Sequence, residues 1–396
     1  MKFFTEKRVD FMKKVLAVLL LAVMLAGCGS TPPKASLKHS GVWLSYSEVN
    51  TMLDGDFKTE FNTLLKNCQD LKITDLYIHV RAFGDALYKS SLFPQNEKSL
   101  KYDFDILKWV CDISHQNNIR VHAWINPYRI SSTTENIQEI SPKSPAYIWL
   151  NDTDAQNDKN VCVSGGIYLN PAESQVQQLI IDGVREIVKG YDVDGIHFDD
   201  YFYPTQSEEF DKVSYDLYKA ENLNPLPLAD FRRLNVDLLL SGTYNAIKHL
   251  KGEASFSVSP AASVQNNYEK LYADVRSWVD NGFVDAIIPQ LYFGFEYPDD
   301  NFKFNNLLKA WCDIADLNPD VSLIIGLSVY KAKPQLEADK AEWQNNDDII
   351  KRQVEILYNN DGVDGFVYFS YSSLISNDTE FKAQRENLKN YLKTRD

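Results

Sequence analysis

The sequence predicts a single-domain α/β fold, a (β/α)8 TIM barrel, because short apolar strands alternate with amphipathic helices and eight such units can be counted. Polar and aromatic side chains also collect at the carboxyl ends of the predicted strands. An open doubly wound sheet is the alternative architecture. No Gly-rich phosphate-binding loop follows the first predicted strand, which removes the main support for that alternative and for nucleotide chemistry.

The eight predicted strands are short runs bounded by turn residues or by the start of a helical pattern. Helical segments between them imply that neighbouring strands are parallel, and eight parallel strands close into a barrel. In chain order the strands are Gly41–Tyr46, Asp75–Arg81, Arg120–Asn126, Gly195–Asp199, Ser255–Pro260, Ala286–Tyr292, Leu323–Val329 and Gly365–Tyr371.

The helices are predicted from apolar residues that recur every three or four positions. Each amphipathic segment has one apolar face with which to cover the outside of the barrel. The segments are Tyr102–Asn117, Ala172–Lys189, Phe231–Leu250, Tyr268–Asn281, Phe302–Ala315, Asp347–Asn359 and Thr379–Leu392.

Alternation within the strands predicts which side chains face the barrel axis. In the second strand, Leu76, Ile78 and Val80 would face the helices. Barrel interiors are ordinarily filled by branched aliphatic residues, so a polar and aromatic interior indicates a ligand or a dense hydrogen-bond network. The predicted inward residues are Tyr77, His79, Arg81, His122, Trp124, Asn126, His197, Asp199, Ser257, Ser259, Gln290, Tyr292, Tyr368 and Ser370.

Residues 1–27 are predicted to be a lipoprotein signal peptide. A basic start precedes an apolar run, 15–25, that is too short to span a membrane as a mature helix; a transmembrane anchor is the alternative. The run ends in Leu-Ala-Gly-Cys, which matches the lipobox of bacterial lipoproteins, so cleavage would leave Cys28 as the lipidated first residue. Residues 28–38 would form a tether and residues 39–396 the barrel. We therefore expect an extracytoplasmic protein anchored to the cell membrane by lipid.

The chain has a net charge of −14, and the charge becomes −17 without residues 1–27, which contain five Lys or Arg and two Asp or Glu. This acidity disfavours nucleic acid and anionic lipid surfaces as partners of the barrel. The cysteines of the barrel have no CxxC spacing, so buried free thiols are expected rather than a disulfide framework. These cysteines are Cys68, Cys111, Cys162 and Cys312.

The segment 191–204 is the most informative part of the chain. Its strand ends in two adjacent carboxylates, Asp199 and Asp200, surrounded by aromatic residues. Glycoside hydrolysis needs two carboxyl groups, an acid with a raised pKa and a base or nucleophile. Asp199 is the predicted inward catalytic carboxylate. Asp200, Asp85 after the second strand and Glu296 after the sixth are the candidates for its partner. An Asp-rich turn that caps the next helix is the purely structural alternative.

Sugars expose hydroxyl groups and weakly apolar ring faces, so their sites combine polar side chains with flat aromatic rings. This chemistry predicts a polysaccharide substrate and needs no cofactor. The predicted substrate-binding residues are Arg81, His122, Trp124, Asn126, Arg129, His197, Tyr203, Gln290, Tyr292 and Glu296.

Two other functions stay open. His79, His122 and His197 come from three successive strands and, with Asp199, could form the site of a metal-dependent hydrolase. No HxH, HxxxH or HExxH spacing supports such a site, so no metal is predicted. A non-catalytic protein that binds wall glycan is the other possibility, because a fold alone does not establish activity.

With these residues in place, the chain resembles the glycosyl-hydrolase-like family 10, a group of (β/α)8 proteins of bacterial envelopes. The resemblance rests on segments 80–90, 122–129, 169–171, 194–204, 256–260 and 289–292, in that order. It implies glycosidase activity, and for some members cleavage of peptidoglycan glycan strands already stripped of their peptides. Phe293 and Gly294 depart from the family pattern, which often has Trp and an acidic residue there. The resemblance implies a cleft that contains Arg81, Asp85, Asn126, Arg129, Asp199, Asp200, Gln290 and Tyr292.

Overall fold

A computed structural model describes residues 37–333 and 337–395. Eight parallel strands in this part of the chain form a closed barrel. The predicted signal peptide, Cys28 and nearly all of the predicted tether lie outside the described residues. The predicted TIM-barrel fold is therefore confirmed for the body of the chain.

The strands follow the chain order of the sequence prediction. Eight of them form the barrel, in the order β1-β2-β3-β7-β8-β9-β10-β11 and back to β1, and the other three form a small antiparallel sheet in the order β4-β6-β5. Their bounds are β1 (His39–Leu44), β2 (Asp75–Arg81), β3 (Arg120–Ile125), β4 (Arg129–Ser131), β5 (Val161–Val163), β6 (Ile167–Leu169), β7 (Gly195–Phe198), β8 (Ser255–Val258), β9 (Ala286–Ile287), β10 (Ser322–Ser328) and β11 (Gly365–Phe369).

Helices cover the outside of the barrel, and the predicted segments recur with small shifts at their ends. One predicted helix, Tyr268–Asn281, is two helices, because Tyr272 has a positive φ of 54° and Asp274 caps a new helix there. The helices are α1 (Tyr46–Asp54), α2 (Phe57–Asp70), α3 (Ile106–Gln116), α4 (Pro145–Asn151), α5 (Ser174–Gly190), α6 (Lys212–Glu221), α7 (Leu228–Leu250), α8 (Val264–Lys270), α9 (Val275–Asp280), α10 (Phe304–Ala315), α11 (Glu337–Asn345), α12 (Ile349–Leu357), α13 (Tyr371–Ile375) and α14 (Thr379–Lys393).

The main hydrophobic core lies between the strands and these helices. In α2 the buried residues Phe57, Phe61, Leu64 and Cys68 recur at helical spacing, as an outer barrel helix requires. A second, smaller cluster fills the barrel itself and is rich in aromatic rings. It consists of Trp43, Tyr77, Trp124, Ala286, Ile288, Ile324 and Val367.

The prediction for the inward face of β11 is wrong. Val367 and Phe369 face the barrel interior, whereas Tyr368 is buried in the outer core and Ser370 donates a hydrogen bond to Glu48. The run Gly-Phe-Val-Tyr-Phe is apolar on both faces, so alternation carries no information about which face is which. Pairing with β1 and β10 decides the orientation instead.

The four cysteines among the described residues are free thiols, of which Cys68, Cys111 and Cys162 are buried and Cys312 is partly exposed. Within residues 37–333 and 337–395, no helix has the length and apolar content needed to cross a membrane.

Candidate active site

The two adjacent carboxylates line one cavity of about 520 Å³ at the carboxyl ends of the barrel strands. β7 ends at Phe198, so Asp199 and Asp200 lie just beyond the strand. Residues within a strand point to opposite faces, but this rule no longer applies once the strand has ended. The end of β7 therefore lets both carboxyl groups contribute to the same site.

Asp199 is almost fully buried, with 2% of its surface exposed. Its Oδ2 accepts hydrogen bonds from Trp124 Nε1 at 3.2 Å and from Asn126 Nδ2 at 3.4 Å, and the backbone N–H of Tyr201 donates to Oδ1 at 3.4 Å. Burial, with a smaller contribution from the charge of Asp200, raises the pKa of Asp199 to about 7. A carboxyl group of this kind holds a proton near neutral pH and can donate it.

The second carboxyl group of the pair, that of Asp200, also has a raised pKa. Burial raises its pKa to about 6, and a hydrogen bond from Gln290 and the charge of Arg129 act in the opposite direction. Two interacting carboxyl groups lose their protons in two steps that belong to the pair. A pair that holds one proton supplies the acid and the carboxylate that a glycosidase requires. Asp199 is the more deeply buried of the two, which favours the proton on Asp199.

Arg129 is brought to the site by the small sheet, because it is the first residue of β4. Its guanidinium lies 4.7 Å from the ring centroids of both Phe83 and Tyr201. Its backbone N–H donates to Asn126 Oδ1 at 3.1 Å. Asn126 is fully buried and also donates to Asp199 Oδ2, so it links the backbone of Arg129 to the carboxyl group of Asp199.

His79 also lines the cavity, next to the carboxylates. Its ring is stacked on Trp124, with the centroids 3.6 Å apart and the planes at 7°. Neither ring nitrogen has a hydrogen-bond partner, and burial holds the pKa of His79 well below its usual range. Both ring nitrogens of His79 are thus buried without a partner, against the general rule that buried polar atoms are hydrogen-bonded.

The other two histidines of the barrel interior have protein partners. Trp43 Nε1 donates to His197 Nε2 at 3.1 Å, so the ring proton of His197 is on Nδ1 and bonds to Ser257 Oγ at 2.9 Å. His122 Nε2 lies 2.9 Å from Asp75 Oδ1. The described residues contain no group of three or more His, Cys, Asp or Glu side chains that could hold a metal ion.

Several predicted site residues lie away from the cavity. Arg81 is buried with its guanidinium 4.2 Å from the Phe93 ring centroid, and Glu296 is exposed. Tyr203 is 4% exposed and packs against Arg232, whose guanidinium also binds Asp211. Tyr203 therefore lies among the groups that hold the loop after β7.

The predicted residues that line the cavity are Trp124, Arg129, Asp199, Asp200, Gln290 and Tyr292, while Asp85 lines a neighbouring cavity. The sequence analysis listed none of the other lining residues as catalytic or substrate-binding, although it predicted that His79 and Ser259 face the barrel axis. Phe369 occupies an inward position of β11 and could have been found from a correct strand phase, whereas Tyr46 is the first residue of α1, two positions after the end of β1. The additional lining residues are Trp43, Ser45, Tyr46, Ser47, His79, Ala82, Phe83, Tyr201, Ser259, Tyr330 and Phe369.

Comparison with known proteins finds one matching family and relatives that are named glycosyl hydrolases. The family described as Glycosyl hydrolase-like 10 matches residues 38–345. Glycosyl hydrolase YngK of Bacillus subtilis (strain 168) is 28% identical over 343 residues, which cover 81% of this chain and 64% of that protein. Glycosyl hydrolase DigH of Escherichia coli (strain K12) is 28% identical over 435 residues, covering 96% of this chain and 95% of that protein.

Solved structures share the barrel at low sequence identity. The PgaB (BpsB) glycoside hydrolase domain from Bordetella bronchiseptica superposes with a TM-score of 0.58 at 12% identity, over 89% of this chain and 99% of that one. A β-galactosidase from the psychrophilic Marinomonas ef1 gives a TM-score of 0.54 at 8% identity, over 90% and 59% of the two chains. These two likenesses support the fold alone.

Proposed function

Because the chain belongs to the glycosyl hydrolase-like 10 family, it is a glycosidase, and we propose that it hydrolyses a cell-envelope polysaccharide, preferably the glycan strands of peptidoglycan. The observation that carries this proposal is the pair Asp199 and Asp200, two carboxyl groups with raised pKa values in one cavity lined by aromatic rings. Such a pair supplies the acid and the carboxylate of glycoside hydrolysis.

The proposed mechanism assigns a separate task to each carboxyl group. Asp199, with the higher pKa, donates its proton to the oxygen of the leaving sugar. Asp200, ionised, compensates the positive charge that develops on the sugar ring as the bond breaks. Protonation of the leaving oxygen leaves Asp199 ionised as the glycosidic C–O bond breaks. A water molecule then forms a new C–O bond at the anomeric carbon, and the proton that this water loses is taken up by the carboxyl pair, which returns to one acid and one carboxylate for the next cycle.

The cavity wall suits an amino-sugar glycan. The rings of Tyr292 and Phe369 stack with centroids 5.7 Å apart and planes at 22°, which gives the wall a flat aromatic surface. Gln290 and Arg129 supply polar groups around it. Sugar sites combine these two kinds of surface, since ring faces pack on aromatic side chains and hydroxyl or acetamido groups form hydrogen bonds.

The envelope location is part of the same proposal. The basic start, the short apolar run and the lipobox that ends at Cys28 support export and lipid attachment of the chain. A lipid anchor would hold the barrel at the membrane surface, close to the wall glycan. Metabolic labelling with a radioactive fatty acid tests this point: the parent protein should take up label, and a Cys28→Ala variant should not.

The activity is tested with purified peptidoglycan glycan strands, intact and stripped of their peptides. The products are analysed by mass spectrometry for the parent protein, for Asp199→Asn and for Asp313→Asn, a matched control on the exposed face of α10. Defined oligosaccharides should arise from the parent and the control but not from Asp199→Asn.

Two results would contradict the proposal in different ways. Binding of the strands without cleavage by the parent protein would identify a non-catalytic glycan binder. Cleavage of another envelope polysaccharide, with no action on either peptidoglycan substrate, would keep the glycosidase and reject the preferred substrate.

A further inference from the structure

The cavity that contains the carboxyl pair has one positively charged residue in its wall. Arg129 is the only Lys or Arg among the described residues that line it, whereas Asp199 and Asp200 supply negative charge. Arg129 is partly exposed, so its side chain is accessible from the cavity. In a chain with a net charge of −14, this guanidinium is an isolated positive point in an acidic and aromatic wall.

Arginines that neutralise a carboxylate in this molecule do so by direct contact. Arg120 donates to the two oxygens of Asp75 at 2.7 and 2.6 Å. Arg232 donates to Asp211 at 2.6 Å. Within residues 37–333 and 337–395, Arg129 forms no ion pair with a carboxylate. Its charge is therefore not used in the way that the charges of Arg120 and Arg232 are.

The carboxyl pair does not take up this charge either. Arg129 lowers the pKa of Asp199 and of Asp200, but burial outweighs its effect and both pKa values stay raised. A cation placed to keep both groups ionised would give the opposite result. The guanidinium thus retains positive charge with which to bind a ligand.

The guanidinium of Arg129 is held in position at the cavity wall. Its Nε donates to the backbone oxygen of Ala82 at 3.4 Å, and its central carbon lies 4.7 Å from the ring centroids of Phe83 and Tyr201. Contact with aromatic rings attracts a cation without neutralising it. A guanidinium that is already oriented loses little freedom when it binds a planar anion.

A carboxylate on the sugar chain is the anion that fits this group. Guanidinium groups bind carboxylates and phosphates, carboxylates often through two parallel hydrogen bonds. The repeating unit of the peptidoglycan glycan contains a carboxyl group and no phosphate. Every second sugar carries a lactyl ether, whose carboxyl group is an amide where a peptide is attached and a free carboxylate where the peptide has been removed.

We propose that Arg129 is a specificity-determining residue, which binds the free lactyl carboxylate of a sugar in the cavity through a bidentate ion pair. This inference rests on the proposed function, since it assigns a group of the proposed substrate to a residue of the same site. Capping of the carboxylate removes its charge, and a strand without that charge loses its partner on the protein.

The test uses two preparations of the same peptide-free glycan strands, one with free lactyl carboxylates and one in which they have been converted to primary amides. The kcat/KM of each is measured for the parent, for Arg129→Gln and for Arg276→Gln, a control that removes the same charge from the exposed surface of α9. Parent and control should prefer the free carboxylate by about tenfold or more, mainly through KM, because hydrogen bonds to charged groups are the strong ones. Arg129→Gln should distinguish the two preparations by less than about twofold.

A full preference for the free carboxylate in Arg129→Gln would overturn the proposal and leave the proposed function standing. The same holds if the parent cleaves both preparations equally well. An equal loss on both preparations, with a shifted pH optimum, would also overturn it, because Arg129 would then act on the carboxyl pair and not on the substrate.

Arg129→Lys covers the case in which Arg129→Gln does not fold. Lysine keeps the charge but lacks the planar fork, so the preference for the free carboxylate should fall by about threefold or more. An unchanged preference in Arg129→Lys would reject the bidentate ion pair.

If the parent cleaves neither preparation, the proposed substrate fails, and calorimetric binding of the two preparations decides the role of Arg129. Tighter binding of the free strands than of the amide strands, in the control but not in Arg129→Gln, would support the ion pair. Equal binding of the two preparations, or no binding, would reject it.

Discussion

The two ends of the barrel interior each bury an aspartate, and the two aspartates have opposite electrostatic properties. Asp75, the first residue of β2, is fully buried. Arg120 donates to both of its oxygens, at 2.7 and 2.6 Å, and His122 and His39 also contact it. Burial alone would raise the pKa of Asp75, but the hydrogen bonds from His122, His39 and Arg120 hold it well below the usual range.

Asp199 is buried to a similar degree at the other end, but its partners are neutral donors at 3.2 to 3.4 Å. Its pKa moves upward, and it borders an open cavity. The comparison shows that burial by itself does not make a carboxylate catalytic. A buried carboxylate with a bound cation stabilises the fold, whereas one with weak neutral partners and access to a cavity can exchange a proton.

Asp199→Asn should have the largest effect at the cavity end. An amide cannot donate a proton to the leaving oxygen as an acid does, so kcat should fall about 10²- to 10⁴-fold. The measurement is turnover of glycan strands at neutral pH, with the unfolding midpoint recorded beside it. A variant that retains more than a tenth of the parent kcat would assign the proton to another group.

Asp75→Asn should have the largest effect on stability. The amide cannot match the charge of Arg120, and the hydrogen-bond network at this end loses its anion. We expect the free energy of unfolding to fall by about 2–4 kcal/mol, measured by urea denaturation. The folded variant should keep kcat within about threefold of the parent. If Asp75→Asn has the stability of the parent but a large loss of kcat, the assignment of a structural role to Asp75 and a catalytic role to Asp199 is wrong.

The pH dependence of stability should have opposite signs at the two ends. The folded-state pKa of Asp199 is raised, so its contribution is full below the unfolded pKa of about 4 and is lost as the pH rises through about 7. The pKa of Asp75 is lowered, so its contribution is present above about pH 4 and is lost as the pH falls further.

Urea denaturation at pH 4 and pH 8 separates the two groups. Relative to the parent, Asp199→Asn should gain stability at pH 8, on the order of 1–3 kcal/mol, and little at pH 4. Asp75→Asn should lose nearly the same stability at pH 8 and at pH 4, because the contribution of Asp75 is still present at pH 4, and it should lose less in a third measurement near pH 2. If the change in unfolding free energy depends on pH in the same way for both variants, the opposite pKa shifts of Asp199 and Asp75 are refuted.

His79→Phe should give the smallest effect. Phenylalanine can keep the stacking on Trp124 but lacks the two unpartnered ring nitrogens. If substrate binds to these nitrogens, kcat/KM should fall about fivefold, since a neutral hydrogen bond contributes about 1 kcal/mol. Stability should be unchanged or slightly higher, because a buried unpaired polar group is removed. Lower stability with unchanged kcat/KM would make His79 a structural residue.

Much of this architecture could be predicted from local patterns. All eight barrel strands were found, because each is a short run between a helix and a polar strand end. The segment around Asp199 and Asp200 was likewise visible in the sequence, since two carboxylates and several aromatic residues follow one strand. The prediction failed for β11, whose residues are apolar on both faces, and for the helix break at Tyr272.

The site could be predicted only in part, since its contacts join residues distant in sequence. Arg81 and Tyr203 lie in motifs that also contain cavity residues, but their side chains are buried against Phe93 and Arg232. Asp85 lines a separate cavity with Asn96.

The sequence by itself determined the barrel and the strand end that carries the carboxylates, because hydrophobic periodicity and residue type are local properties of the chain. Only the tertiary structure decided that Asp199 and Asp200 share one cavity, that Asp75 is neutralised by Arg120, and that His79 has no partner. The physical reason is that a pKa and an unpaired hydrogen-bonding group depend on which side chains surround it, and most of those neighbours come from other strands and loops.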